Sequence, residues 1–404
     1  MASRPRVFIT GMGAVTALGI GAQSLWTAAR DGRSGVIDLV LPRTTNQLVK
    51  KAAHLPDFDA AGQIAAGIIR STDRFAQMAI MAAQEALAHA GWPRGEPLGA
   101  RAAVLVGSGI GGSTTSDIEY FKFYQSRERA DPMTIPKVMP NAAASQLSMA
   151  FGARGMSLAV SSACSSASQA IGLGLMLLRQ GLAERALVGG SECLITPATF
   201  RAWETLRVMT PRECRPFSTG RDGMTLGEGS AMLLLETEDA AAARGARPLA
   251  ELSGFGTTSD AGDIVRPDAA GAAAAMEGAL ADAGLNPNEI GYVNAHGTGT
   301  ILNDRTESDA LWRVFGSHLD TLAVSSTKPV HGHTLGAAGA IELVVTVQAL
   351  EHQVSPPTIN WLGADRDCIP DPVPNAARAV NMSAAMSNSF AFGGINASLI
   401  IRKV

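Results

Sequence analysis

The chain has 404 residues, 46% hydrophobic and 17% charged, with a formal net charge of −3. That length exceeds one ordinary domain and points to two domains or one fold built twice, while the near-neutral charge gives no general nucleic-acid signature. No secretory signal core precedes the first strand-like run, no stretch of about 18 apolar residues offers a membrane span, and Cys164, Cys193, Cys214 and Cys368 lack CxxC or His–Cys spacing for zinc.

In chain order, strand-like runs alternate with Ala-rich helical runs, the pattern of an α/β protein. Arg6–Thr10 reads as a strand. A helix is predicted from Asp73 to Ala90, with Thr72 or Asp73 as cap and Gly91 as stop. Strands follow at Ala102–Val106 and Leu158–Val160, then a helix from Ser165 to Gln180. Strands at Ala186–Gly189 and Gly229–Glu236 close the first half. The second half repeats this order. A helix at Ala274–Ala283 stops at Gly284, a strand covers Gly291–Ala295, and a helix runs from Leu335 to Leu350. Strands at Ala385–Ser389 and Ala397–Arg402 end the chain. Within the repeat, Ala340–Ile341 is matched to Ala170–Ile171. A duplicated unit with its boundary near Gly245–Glu251 follows, giving halves 1–248 and 249–404. Four cysteines without a disulfide pattern fit a reduced, cytoplasmic setting.

Val160-Ser161-Ser162-Ala163-Cys164-Ser165-Ser166-Ala167-Ser168 places one cysteine among small residues, between a strand and a helix. Unpaired N–H groups and the positive end of the helix dipole favour a thiolate there, so a thiol pKa lowered from about 8.5 is expected. N–H groups beside Cys164 would also hold an oxyanion. A buried structural cysteine at a helix start is the alternative for the same run, and the favoured one for Cys193, Cys214 and Cys368.

Asn294-Ala295-His296-Gly297-Thr298-Gly299-Thr300 follows a predicted strand, and Ser326-Thr327-Lys328-Pro329-Val330-His331-Gly332-His333 leads into the helix matched to the cysteine helix. If the repeat is real, Cys164 and His333 stand at equivalent helix N-termini and converge by pseudo-twofold symmetry. Two neutral histidines aimed at one thioester carbonyl would stabilise the enolate left when CO2 departs. His331 is left open, and His54, His89, His318 and His352 read as core or surface residues. Thr298 and Thr300 read as strand-end hydroxyls or as contacts for an amide-rich substrate arm.

These residues resemble the elongating β-ketoacyl-acyl carrier protein synthases with a Cys-His-His site, in the thiolase superfamily. The resemblance runs from Val7-Phe8-Ile9-Thr10-Gly11-Met12-Gly13 to Asn388-Ser389-Phe390-Ala391-Phe392-Gly393-Gly394-Ile395-Asn396. Gly332-His333-Thr334-Leu335-Gly336-Ala337-Ala338-Gly339 is its strongest single match. It implies a thiolase-like duplicated five-layered α-β-α-β-α fold and a dimer. Cys164 would be the acyl-carrying nucleophile, and His296 and His333 the decarboxylation pair. Lys328 would orient and polarise the site, with Glu307 as its partner. Thr298 and Thr300 match contacts to a phosphopantetheine arm, Phe392 an aromatic gate, and Ile110 a position limiting chain entry. The implied partners are an acyl carrier protein bearing acyl and malonyl groups, and a second subunit, either identical or a related chain-length subunit. No metal and no cofactor of the enzyme's own is implied.

Some positions depart from the family pattern. Ala391 stands where glycine is common, and Met224 where phenylalanine usually follows Arg221-Asp222-Gly223. Asp260-Ala261-Gly262-Asp263-Ile264-Val265-Arg266 lacks the usual histidine and threonine. Arg70 stands without the basic cluster often used to dock the carrier. These departures weaken an assignment to ordinary saturated fatty acyl chains and leave a specialised polyketide or polyene pathway open.

Rival readings are weaker. Gly107-Ser108-Gly109-Ile110-Gly111-Gly112 fits the dinucleotide pattern G-x-G-x-x-G, and Gly11-Met12-Gly13 begins another, but no ribose-binding acid follows at about 20 residues. A thiolase would carry a second cysteine in the C-terminal glycine loop, which here reads Phe390-Ala391-Phe392-Gly393-Gly394. A non-catalytic chain-length subunit would lack the nucleophile that Cys164 supplies.

Overall fold

The structure is a computed structural model that describes residues 4–127 and 129–404; the first three residues of the N-terminal reading lie outside the described residues. Ten strands carry the architecture. They are β1 (Val7–Thr16), β2 (Ala102–Gly107), β3 (Ser157–Val160), β4 (Arg185–Glu192) and β5 (Gly229–Thr237), then β6 (Ala250–Ser259), β7 (Ile290–Asn294), β8 (Ala323–Ser325), β9 (Ala384–Ala391) and β10 (Ile395–Arg402). The helices that matter here are α1 (Arg74–His89), α2 (Ser113–Ser126), α3 (Ser166–Arg179), α4 (Pro197–Thr205), α5 (Ala269–Ala283), α6 (Ile301–Phe315) and α7 (Ala338–His352).

The strands form one sheet in the order β3-β2-β4-β5-β1-β6-β10-β9-β7-β8, with Gly19–Ile20 hairpinned onto β1. The first five and last five strands are mirror sequences of each other, the signature of a duplicated unit. Parallel pairs sit at matching places (β2 with β3 and β4; β7 with β8 and β9), and β4–β5 and β9–β10 are both antiparallel. The halves meet where Phe8 pairs with Glu251 and Ile9 with Ala250.

Helices α3 and α7 pack on each other and on strands of both halves, so they form the central layer. Helix α1 covers the outer face of the first half, and α5 and α6 that of the second. The result is five layers, α-β-α-β-α. Ten side chains of α1 are buried, among them Phe75, Met78 and Ile80; full burial of each such chain contributes about 1.5–3 kcal/mol. The cap of α1 is Asp73, whose carboxylate accepts the Phe75 N–H at 3.1 Å.

Strand β1 runs past its expected end at Thr10. The reason is close packing on α1: a Cβ at Gly11 would lie 2.0 Å from the Ala86 carbonyl oxygen, and one at Gly13 2.2 Å from that of Ala82. These glycines let strand and helix backbones touch, which accounts for Gly11-Met12-Gly13 without a nucleotide.

The repeat also needs a shifted register. One-turn 3-10 helices at Ala163–Ser165 and Leu335–Ala337 lead into α3 and α7. Each opens on a residue in the left-handed region, Ala163 at φ 50° and Leu335 at φ 45°. Cys164 is therefore equivalent to Gly336, not to His333, and Ala170–Ile171 matches Glu342–Leu343 rather than Ala340–Ile341.

Candidate active site

Cys164 sits where β3 turns into α3. The turn is tight because Ala163 adopts the left-handed region, a conformation costly to a residue with a Cβ. Neighbouring serines hold it: Ser166 Oγ accepts the Ser162 N–H at 2.9 Å and donates to the Ala163 carbonyl, and Ser165 Oγ donates to the Ser162 carbonyl at 2.9 Å. The Cys164 side chain is buried and lines a cavity of about 240 Å³.

His333 reaches the same point from the second half. An extended segment clamps its backbone, with its N–H donated to the Thr225 carbonyl at 2.7 Å and its carbonyl accepting the Gly227 N–H at 3.0 Å. Its Nε2 lies 3.2 Å from Cys164 Sγ. The Leu335 N–H points at Nδ1 at 3.4 Å, which makes Nδ1 the acceptor and places the ring proton on Nε2, facing the sulfur. His296 completes the group, its ring 5.4 Å from that of His333 and nearly perpendicular to it. The Glu307 carboxylate accepts the backbone N–H of His296 at 2.8 Å and of Gly297 at 2.7 Å, fixing that turn on α6. Both histidines and Cys164 line the one cavity.

The electrostatics correct two expectations. Lys328 pairs with Glu342 on α7, not with Glu307, and both members are buried. Glu307 is turned instead toward the backbone N–H groups of the histidine loop. The Cys164 thiol is not lowered. Burial pushes it up to about 12, outweighing the Lys328 cation and the Phe392 N–H that favour the thiolate. At neutral pH Cys164 rests as a thiol. Burial, reinforced by Lys328, holds His296 and His333 well below the usual histidine range, so both rings are neutral N–H donors. Burial likewise raises Glu342 and Glu307 to about 7, with Lys328 opposing the shift in each. His331 is buried outside the cavity, bonded to Thr327 at 3.0 Å and to the Gly332 carbonyl at 2.8 Å.

The remaining expected residues divide. Thr298 and Thr300 line the cavity with their hydroxyls 2.8 Å apart. Phe392, Ala391, Met224 and the Asp263–Arg266 loop line it too. Ile110 does not. It lies outside that cavity, 45% exposed, on a turn after β2.

That turn shows a residue the sequence argument missed. The buried Glu192 carboxyl, at the end of β4, accepts the N–H groups of Gly109, Ile110 (3.3 Å) and Gly336 (3.1 Å) and the Ser108 hydroxyl (3.1 Å). It ties the glycine turn to the loop after His333. The N–H groups a dinucleotide phosphate would need are thus taken by the protein's own carboxylate. Glu342 was also missed, although a lone acid in the apolar run Ala340-Ile341-Glu342-Leu343-Val344 signals a buried partner.

With this geometry in place, comparison with known proteins gives consistent matches. Residues 4–241 match the family described as beta-ketoacyl synthase, N-terminal domain, and residues 249–361 its C-terminal domain. The chain is 42% identical to nodulation protein E of Rhizobium sp. (strain N33) over 403 residues, 99% of each chain. It is 37% identical to a 3-oxoacyl-[acyl-carrier-protein] synthase 2 of Synechocystis sp., over 99% of this chain and 98% of that one. The structure of the ishigamide ketosynthase/chain length factor superposes with a TM-score of 0.94 at 32% identity, covering 100% of both chains.

Proposed function

Since this chain belongs to the β-ketoacyl synthase family, we propose that Cys164, His296 and His333 are the residues with which it performs decarboxylative condensation. The enzyme is an acyltransferase of the 3-oxoacyl-acyl carrier protein synthase type. The observation that carries the residue assignment is the meeting of one thiol from the first half and two neutral imidazoles from the second around a single cavity. We divide these roles between halves 1–248 and 249–404.

In the first stage Cys164 Sγ attacks the carrier thioester. A new S–C bond forms, the carrier thiol leaves, and the proton of Cys164 goes to it. The Cys164 and Phe392 N–H groups face the oxygen that becomes negative. In the second stage malonyl-carrier enters, Thr298 and Thr300 contacting its arm. Its carboxylate leaves as CO2, and the bonding pair passes to an enolate whose oxygen the N–H groups of His296 and His333 hold. The enolate carbon attacks the acyl-Cys164 carbonyl, the C–S bond breaks, and the sulfur regains a proton from solvent. The product is a β-ketoacyl-carrier two carbons longer. Burial, reinforced by Lys328, keeps both imidazoles uncharged, so that each meets the enolate oxygen as a neutral N–H donor.

The partner is an acyl carrier protein, in keeping with the name of the Synechocystis relative. A second, related subunit is supported by the edge strand β3, where Leu158 is 43% exposed, and by the aromatic residues Tyr120, Phe121, Phe123 and Tyr124 that α2 leaves in solvent. Ile110 would then meet its acyl chain beside that subunit. The similarity to a ketosynthase/chain length factor makes a heterodimer the second reading, and measuring the size of the chain alone and with its genomic neighbour separates it from a homodimer. No helix among the described residues is long and apolar enough to cross a membrane, and a catalytic thiol fits the reducing cytoplasm.

Intact-mass analysis tests the assignment. Acyl-carrier should add its acyl mass to the wild-type chain, and Cys164→Ala should take none while still decarboxylating malonyl-carrier. Acylation of Cys164→Ala would overturn it. A panel of saturated, branched and polyunsaturated acyl-carriers in the same assay names the preferred chain, and with it the fatty-acid or polyketide/polyene setting.

A further inference from the structure

The two strained turns of the repeat are held in different ways. Around Ala163, Ser165 Oγ and Ser166 Oγ bond to the backbone of Ser162 and Ala163. The equivalent positions after Leu335 are Ala337 and Ala338, which carry no hydroxyl. Leu335 is nevertheless buried at φ 45°, a conformation that a residue with a Cβ keeps only where its surroundings impose it. The turn is fixed at both ends. His333 is clamped through its backbone to Thr225 and Gly227. Gly336 donates its N–H to Glu192 Oε2 at 3.1 Å, so close that a Cβ on it would lie 2.4 Å from that oxygen. Glu192 is a rigid anchor. It is fully buried, its backbone pairs with Gly229 of β5, and its carboxyl also accepts the Gly109 and Ile110 N–H groups and the Ser108 hydroxyl. Between these two ends the Leu335 N–H points at His333 Nδ1 at 3.4 Å.

We propose that Glu192 is a positioning residue for His333: by holding the Gly336 N–H it keeps Leu335 in its strained conformation and the Leu335 N–H on Nδ1, and so keeps the ring proton on Nε2, where the enolate oxygen needs it. The peptide plane that carries the Gly336 N–H is turned by the backbone rotation of Leu335, so a fixed acceptor for the one fixes the other. Without the carboxyl, the N–H groups of Gly336, Gly109 and Ile110 are left buried and unpaired. That state is costly, and the turn relieves it by rotating toward another acceptor. The Leu335 N–H then leaves Nδ1, and a neutral imidazole without that bond carries its proton on either nitrogen. Cys164 lies on the other strained turn, which the serines hold. The proposal rests on His333 being a donor to the enolate.

The test compares Glu192→Ala and Glu192→Gln with the wild-type enzyme in two single-turnover assays, CO2 release from malonyl-carrier and acylation of Cys164 by intact mass. Nitrogen NMR of the histidine-labelled chain reads the His333 tautomer, its signals identified by their loss in His333→Ala. Losing one such donor outright costs about 10²–10³ in rate, and a ring divided between two tautomers keeps part of it, so Glu192→Ala should slow CO2 release about tenfold. Acylation, whose oxyanion is held by backbone N–H groups, should stay within about twofold. The His333 signals should move toward the form protonated on Nδ1. Glu192→Gln, which keeps one carbonyl oxygen for the Gly336 N–H, should recover part of both effects. CO2 release by Glu192→Ala at the wild-type rate overturns the proposal. So does an unchanged His333 tautomer, equal loss in both assays, or a Glu192→Gln variant as slow as Glu192→Ala. Should Glu192→Ala fail to fold, Glu192→Asp, whose carboxyl is drawn back by one methylene, takes its place with the same expected results. Wild-type CO2 release by His333→Ala would instead sink the assignment of His333, and this role with it.

Discussion

His333 Nε2 lies 3.2 Å from Cys164 Sγ, and the Leu335 N–H directed at Nδ1 determines that Nε2 carries the proton. The two side chains come from opposite halves of a duplicated fold. In the reaction we propose, the imidazole donates to sulfur at rest and to an enolate oxygen during decarboxylation.

Replacing His333 should separate those stages. His333→Ala removes one of two donors to the enolate, a loss of about 10²–10³ in decarboxylation rate. Acyl transfer should fall far less, because its oxyanion is held by backbone N–H groups. Paired single-turnover measurements check this, and equal losses in both would refute the division of labour.

The pH dependence of Cys164 reactivity follows from burial. With the thiol raised to about 12, the reactive thiolate grows with pH across the whole neutral range. Alkylation of Cys164 by iodoacetamide should therefore rise about tenfold per unit between pH 7 and 9, with no plateau near the ordinary thiol value of about 8.5. A plateau below pH 8 would mean that the helix terminus outweighs burial after all.

The Lys328–Glu342 pair can be told from a Lys328–Glu307 pair by double substitution. Lys328→Met strands a buried carboxylate and should cost about 3–5 kcal/mol in urea unfolding. Adding Glu342→Leu removes the stranded group and should recover most of that loss. Adding Glu307→Gln instead should recover nothing, since Glu307 serves the His296 and Gly297 N–H groups.

Glu192 should make stability depend on pH. Its carboxyl is raised by burial from 4.5 to about 7, so between those values the folded chain holds a proton that the unfolded chain has released. Its contribution is full below about pH 4.5 and is lost as pH rises through 7, with a slope of up to about 1.4 kcal/mol per pH unit. Glu192→Gln should reduce the slope by this share, Glu307 and Glu342, also raised to about 7, supplying the rest, and should weaken the tie between the Gly109 turn and Gly336. An unchanged slope would show that the carboxyl is already ionised in the folded chain.

Several features were legible from residue order because their causes are local. Asp73 and Gly91 bracket α1, and small serines around Cys164 mark a tight strand-to-helix turn. The alternation of strands and helices revealed the duplication. Other features were not. The strained residues Ala163 and Leu335, which set the true register of the repeat, carry no compositional mark. Ile110 took its expected role from resemblance, and in the single chain it is exposed, on the turn after β2.

By itself the sequence determined the α/β class, the duplicated order of elements and which three side chains we propose to react, because periodicity, caps and short motifs are written within a few neighbouring residues. Only the tertiary structure decided which carboxylate meets Lys328, how Glu192 joins two distant turns, and that Cys164 rests as a thiol. Those outcomes depend on desolvation and on contacts between residues far apart in the chain. Their free energies arise when the layers close over the site, and no local stretch of sequence encodes them.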